Sequence, residues 1–523
     1  MSESPEQRAS LLNDLHDPSS IITVEKDDIE APGHYLINRI SSKLLPLLRL
    51  LPSLLKSVLL SCLLSLVPSF VHRHQPSAKP TKLHPTAYLD GLRGVAAFFV
   101  FIHHFILDWF PFLSNGYGST PENTHLVQLP IVRIFYSGRG MVTTFFIISG
   151  YVLSNKALSL MHSGRYATLL DSLSSSVFRR GMRLFIPTTI STFISLLLSR
   201  AGWYRHDPLN HNLIPQHKDT FFAEFEVWWK YTIAICNPFQ VVDGKSMFGH
   251  PYDGHLWTIP VEYRGSLVVF LTLLCLAKAR SSIRLAILTG LVTFALWKAH
   301  WDMSLFLCGT LFADIGFNYA ARSDPSFDAP TDLVSRFSTI LTSVPTTAKS
   351  LLRRAAITTA FVLGLHLLCY PDADANKSPG YATIISHTPQ SYFDMGKPQK
   401  FSLAVGAILT VSAIANSPAL QRPFTTAFAQ YLGRISYALY MVHGPVLYTV
   451  GMMILLKANT GYKEAADTAG AAQARNAYAW DFGAAAVLNS VLCFWAADWL
   501  WRVVDVRAVK IARWVSEWCW VEE

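Results

Sequence analysis

Residues 88–110 read YLDGLRGVAAFFVFIHHFILDWF, an apolar run long enough to cross a bilayer as a helix and broken by very few ionisable side chains. Arg93 and His104 are eleven residues apart. At about 100° per residue that spacing returns almost to the starting azimuth, so both side chains lie on one face. Their backbones stand roughly 16 Å apart along the axis, about half the hydrocarbon thickness. The run therefore carries a cation near one membrane surface and an imidazole near the midplane, on one stripe. Ionisable groups at that depth are costly and mark a functional site by default. Asp108 extends the stripe one turn beyond His104, where a carboxylate can accept from an imidazole N–H and set its tautomer. His103 is about 100° away and is expected to pack against or bond to a neighbouring element. The bland alternative for Arg93 is a helix-end cation reaching the lipid phosphates, and for Asp108 an interfacial carboxylate.

The chain around this run has 523 residues, of which 51% are hydrophobic and 15% charged. The apolar residues fall in long runs, the pattern of an all-α, multi-pass membrane protein. About ten spans are expected, with cores near 90–108, 141–155, 184–200, 256–276, 283–298, 303–319, 356–370, 401–415, 435–456 and 481–503. They form a bundle around a polar chamber that satisfies the buried charges. Residues 1–43 read as a disordered polar tail, 44–83 as an interfacial amphipathic segment, 84–508 as the transmembrane domain and 509–523 as a second tail. The net charge of +9 is scattered between spans, which fits basic cytoplasmic loops and not nucleic-acid binding. The loop 155–183 is strongly basic, whereas 202–255 has four Lys/Arg against six Asp/Glu. This alternation places both termini in the cytoplasm. The endoplasmic reticulum, other endomembranes and the plasma membrane all fit. Seven cysteines lie mostly in or beside apolar runs without a CxxC pair, so no metal site or disulfide framework is expected.

Three further strings carry charge into the apolar regions. Phe178–Pro187 (FRRGMRLFIP) sets Arg179, Arg180 and Arg183 at the mouth of a span. Guanidinium forks suit a polyphosphate, while positive-inside anchoring is the plain alternative. His255–Glu262 (HLWTIPVE) opens a span and takes Glu262 one to two turns inside, with Arg264 nearby. Residues two apart point to different sides of a helix, so Glu262 and Arg264 each need a partner elsewhere in the bundle. Leu432–Pro445 (LGRISYALYMVHGP) brings His443 to mid-depth, and Gly444-Pro445 is expected to kink the helix and free backbone carbonyls. A core histidine bonded to such a carbonyl is the plain reading of His443. With the geometry of the first run, Glu262 is expected to face the His104 stripe at similar depth, within about 12 Å.

Together these strings resemble the acyltransferase-3 family of integral membrane acyltransferases, over about Tyr88–Tyr448. LDGLRGVAAFFVFIHHF resembles the family's Arg-x10-His first span, SGRGMVTTFFIISGYVLS its glycine- and phenylalanine-bearing second, FRRGMRLFIP its basic block, LWTIPVE its W-[ST]-L-x-x-E string and GRISYALYMVHGP its closing span. The blocks occur in the family's order, and the long outer loops and polar N-terminal tail look like the fungal branch. After Glu262 the family often continues with acidic, Gln and aromatic residues, whereas this chain has Tyr263-Arg264-Gly265.

The resemblance implies transfer of an acyl group, commonly acetyl, from acyl-CoA to a hydroxyl of a glycan, lipid or small metabolite. It implies His104 as base, Arg93 as an essential partner, Arg179, Arg180 and Arg183 near the donor, and Glu262 near the reaction chamber. Asp108, His443 and Trp257 join them as candidate substrate-binding residues. Acyl-CoA enters as a substrate, and no bound cofactor is expected. The competing class is a transporter or channel using the same buried His, Arg and Glu as a substrate pathway. It predicts inverted repeats with paired broken helices, and no repeat is apparent in the sequence.

Overall fold

The computed structural model describes residues 65–69, 71, 83–205, 218–239, 249–322, 346–468 and 471–520. The tail expected at 1–43 and nearly all of the amphipathic segment expected at 44–83 lie outside the described residues. The unit that begins at Pro68 holds the helical bundle and both of its cavities. Among the described residues it is helical without strands. The long helices are α1 (Ala87–Trp109), α2 (Gly138–His162), α3 (Tyr166–Arg200), α4 (Phe221–Ile235), α5 (Thr258–Cys275), α6 (Ser281–Trp297) and α7 (Trp301–Arg322). They continue with α8 (Thr346–Leu368), α9 (Gln399–Ala415), α10 (Ala427–Val446), α11 (Met452–Thr468), α12 (Ala471–Leu500) and α13 (Val506–Cys519).

Each apolar run read from the sequence falls on a helix. By length and apolarity alone, seven helices among the described residues can cross a membrane, or eight if α9 and the short helices after it, bent by 105°, count as one span. The shortfall from about ten has a physical basis. Helix α6 has only 17 residues, and α7 carries Asp302 and Asp314, both buried inside the bundle. Arg264 holds Asp302 at 2.6 Å, and Arg284 holds Asp314 at 2.7 Å with His162 at 2.9 Å. These pairs supply the partners that carboxylates require at such depth.

Close backbone approach fixes the bundle. A Cβ on Gly94 of α1 would collide with the α10 backbone at Leu432–Gly433, and one on Gly433 would meet Asp90 O at 2.5 Å. Gly150 of α2 and Gly309 of α7 make the same kind of mutual contact. Small residues let helices pack at backbone distance where lipid offers no hydrophobic drive. Pro445 lacks the N–H that would bond Met441 O, and Ser191 Oγ of α3 donates to that carbonyl instead at 3.2 Å. A π turn at Leu447–Gly451 follows, so the expected disturbance after His443 is a local widening. The helix continues as one candidate span to Lys463. At the C-terminus, α13 runs through the segment read as a tail and buries Ala508, Ala512 and Ser516 on one stripe beside α3.

Candidate active site

Two cavities share the interior. The larger, about 860 Å³, lies at the end of the bundle where α1 finishes and α2, α5, α7 and α9 begin. Its wall includes His103, His104, His255, Trp257, Lys400 and Tyr440. The smaller, about 190 Å³, lies toward the α1 N-terminus and is lined by Arg93, Arg180, Arg183, Glu262, Arg434 and Asp505, among others. Val142 and Tyr440 border both. The Tyr440 hydroxyl is pinned there, donating to His255 O at 2.5 Å and accepting from Thr258 Oγ1 at 2.8 Å.

The larger cavity is built around histidine. His104 borders it half-buried. Its ring centroid is 4.0 Å from that of His255 and 5.4 Å from that of His443, and the last two rings are 4.6 Å apart. His443 is fully buried with Nδ1 2.7 Å from Tyr440 O and Nε2 without a partner. The plain reading of His443, a core imidazole on a backbone carbonyl, is therefore correct for Nδ1, and the ring also stands beside His104. His255 Nδ1 lies 3.0 Å from Oδ1 of the buried Asp253. A compact turn holds this pair. Asp253 Oδ1 also accepts from His255 N–H at 3.1 Å, and Tyr204 OH donates to Tyr252 O at 3.0 Å. His250, in the same turn, is pushed down by burial to about 4 and stays neutral. Helix α10 reaches the pair because residue 444 is glycine: a Cβ there would meet His255 Nδ1 at 2.6 Å and Asp253 Oδ1 at 2.7 Å. His103 bonds a neighbouring segment as expected, with Nδ1 2.7 Å from Tyr136 O, while still bordering the larger cavity. Asp108 is half-exposed and lines neither cavity. Trp257 lines the larger one, with Lys400 Nζ 5.1 Å from its ring and 4.1 Å from that of Trp301.

The smaller cavity is built around arginine. Arg93 bonds α10 through Ser436 Oγ and Gly433 O, both at 3.1 Å, and pairs with Asp90 at 3.2 Å. Arg180 donates to Glu262 at 2.8 Å and to Ser266 Oγ at 2.8 Å. Arg183 stands exposed at the wall. Arg179 lines neither cavity, and its Nε donates to Ser175 O of its own helix at 3.1 Å.

Glu262 opens onto the smaller cavity. Its carboxylate lies with Arg180 in the smaller cavity, and His255 is the residue of that segment which meets His104. Seven residues separate the two, roughly 10 Å of helical rise. The expectation of separate partners for Glu262 and Arg264 is met, by Arg180 and Asp302. Sequence reasoning gave no role to Asp253, His255, Lys400 or Asp505, and read Arg434 only as part of a basic connection between spans. His255 opened a quoted string without being weighed, and Asp253 lay two residues before it. Asp505 ends a π turn, Trp501–Asp505, that apolar periodicity does not foretell.

The described residues form a helical membrane bundle with a histidine-lined chamber beside an arginine-lined one. Residues 86–498 match the acyltransferase-domain family model, and the chain belongs to that family, acyltransferase-3. It is similar to O-acetyltransferase PaAT-1 of Phomopsis amygdali, 32% identical over 467 residues, 86% of this chain and 88% of the relative. It also resembles acyltransferase clz18 of Cochliobolus lunatus, 26% identical over 412 residues, 71% of this chain and 84% of that one. Acyltransferase R4 of a Phoma species is likewise 26% identical, over 418 residues, with the same coverage. No solved structure matches. The protein is thus an acyltransferase of a multi-pass membrane family, and the transporter reading falls away.

Proposed function

We propose that the protein moves an acetyl group from acetyl-CoA to a hydroxyl of a glycan, lipid or small metabolite, with His104 as general base. The observation that carries this reading is the meeting of the two cavities at Val142 and Tyr440. The smaller holds four guanidinium groups against two carboxylates, the charge balance that suits CoA phosphates at its mouth. At about 190 Å³ it suits the slender pantetheine arm and not the nucleotide. The larger is roomy enough for a drug-sized acceptor, the usual range being about 300–1,000 Å³.

In the proposed step the acceptor oxygen attacks the thioester carbonyl at the border of the cavities. An O–C bond forms, the C–S bond breaks, and the proton passes to a neutral nitrogen of His104. It then neutralises the departing CoA thiolate. Positive charge arriving on the histidine cluster meets the buried Asp253 carboxylate across His255, which favours the charged intermediate. General-base help of this kind is typically worth about 10²–10⁴-fold. Alternating loop charge supports a cytoplasmic donor side, with both termini on that side and the larger cavity opening opposite.

The test uses the full-length protein in detergent, isotopically labelled acetyl-CoA, and glycan, lipid and metabolite extracts. The expected result is labelled ester in one class of extract by mass spectrometry. Absence of any labelled ester, or labelled amide in its place, would contradict the proposal.

A further inference from the structure

At the larger cavity the fold gathers three imidazoles, His104, His255 and His443, and the Asp253 carboxylate from α1, the turn before α5, and α10. Among the described residues, the only ion-pair partner of the fully buried Asp253 is His255, and its Oδ2 has no hydrogen-bond partner. A carboxylate so placed calls for positive charge close by. We propose that His104, His255 and His443 form a binding site for one divalent transition-metal ion of the zinc type, and that its occupation blocks acyl transfer.

Four observations support the site. One ring nitrogen of each histidine lies within 4.8 Å of the others. His443 has Nδ1 on Tyr440 O at 2.7 Å, which puts its proton there and leaves the buried, unpartnered Nε2 as a lone pair. His255 has Nδ1 on Asp253 Oδ1 at 3.0 Å, leaving Nε2, 3.4 Å from Tyr448 OH, as its acceptor nitrogen. Outer carboxylate and carbonyl acceptors of this kind fix the tautomer and orientation of metal-binding histidines. Finally, His104 and His255 border the larger cavity, so three protein nitrogens would leave a fourth position open to it, the arrangement of a tetrahedral zinc site with a free coordination position.

Zinc–nitrogen bonds of about 2.0–2.1 Å set tetrahedral ligands roughly 3.3 Å apart. His104, the least buried of the three, closes the remaining gap by turning its ring toward the other two. An all-imidazole set with neither thiolate nor carboxylate bound to the ion suits zinc, copper, nickel or cobalt over magnesium or calcium. The blocking effect rests on the proposed role of His104: a nitrogen lone pair bound to a cation cannot take the acceptor's proton. Metal binding itself does not depend on that role.

The experiment uses full-length protein in detergent, without a polyhistidine tag and stripped by chelator. Cobalt(II) is titrated first. The expected result is one equivalent bound with the visible absorption of tetrahedral cobalt, displaced by zinc. His443→Ala should weaken binding at least tenfold, and His387→Ala, an exposed histidine away from the cluster, should not. If His443→Ala accumulates poorly, His443→Gln keeps the volume and removes the imidazole. In transfer assays zinc should inhibit the wild type reversibly, with at least tenfold more zinc needed for the His443 variant. No tetrahedral cobalt signal, a signal indifferent to His443, or zinc leaving transfer unchanged or faster would overturn the proposal. A preparation inactive with every acyl donor would count against the acyltransfer mechanism, while the cobalt titration would still decide the metal site.

Discussion

The two cavities are made from opposite ends of the same helices, and they solve the problem of buried polarity in different ways. In the smaller, guanidinium groups are tied to carboxylates, hydroxyls and carbonyls: Arg180 to Glu262 and Ser266, Arg93 to Asp90, Ser436 and Gly433. Charge there is permanent, and geometry fixes it. In the larger, whose wall also carries Arg139, Arg264, Lys298, Lys397 and Lys400, the reactive end is a cluster of imidazoles. The carboxylate beside that cluster, Asp253, is met only by a histidine among the ion pairs of the described residues. A permanent cationic wall suits holding a polyanion, and a titratable cluster suits moving a proton. The chemistry of each end follows from which residue types the helices carry at that depth.

The largest expected effect falls on the titratable end. His104→Ala should lower transfer from acetyl-CoA by about a hundredfold or more, with membrane insertion intact and the donor KM little changed. Activity within tenfold of wild type would remove the base from the mechanism. At the cationic end the effect should be on binding. Arg180→Gln combined with Arg183→Ala should raise the donor KM by roughly tenfold or more, since charge-assisted hydrogen bonds contribute about 1.5–3 kcal/mol. The acceptor KM should move far less. A donor KM that stays put would reduce these arginines to anchors of topology. The smallest effect should come from Arg179→Ala, whose side chain faces neither cavity. A change in kcat/KM within about twofold is expected, and a loss as large as that of the Arg180 variant would mean the cavity wall has been misassigned.

Much of this was legible in the chain. Every apolar run became a helix because its length and composition leave the backbone no other way to satisfy its hydrogen bonds in lipid. The Arg93–His104 spacing was legible because both sit on one uninterrupted helix, α1, where 3.6-residue geometry applies. Legibility ended where two helices meet. Arg179/Arg183 and Arg180/Arg183 are both compatible with a shared face, and only packing against α5 turns Arg180 inward to Glu262. Which cavity Glu262 lines was not legible, because the sequence does not tell how far α5 starts from the end of α1. In the structure the turn at Asp253–Trp257 brings His255 to His104, so Glu262 lies about two turns farther in. Lys400 was invisible because it stands at the first turn of α9, where a lysine ordinarily marks a helix end. Here two indole rings cover it.

The proposed entry of donor and acceptor from opposite ends of the bundle makes sidedness the decisive experiment. Single cysteines replace Ser163, exposed after α2, and Lys377, exposed after α8, in a cysteine-free background. An impermeant maleimide then reports which face of sealed vesicles is outward. Labelled acetyl-CoA, itself impermeant, is added outside. Transfer should occur only in vesicles whose Ser163 face is outward, because that face leads to Arg180 and Arg183. Transfer confined to vesicles with the Lys377 face outward would place the donor in the histidine cavity and contradict this arrangement.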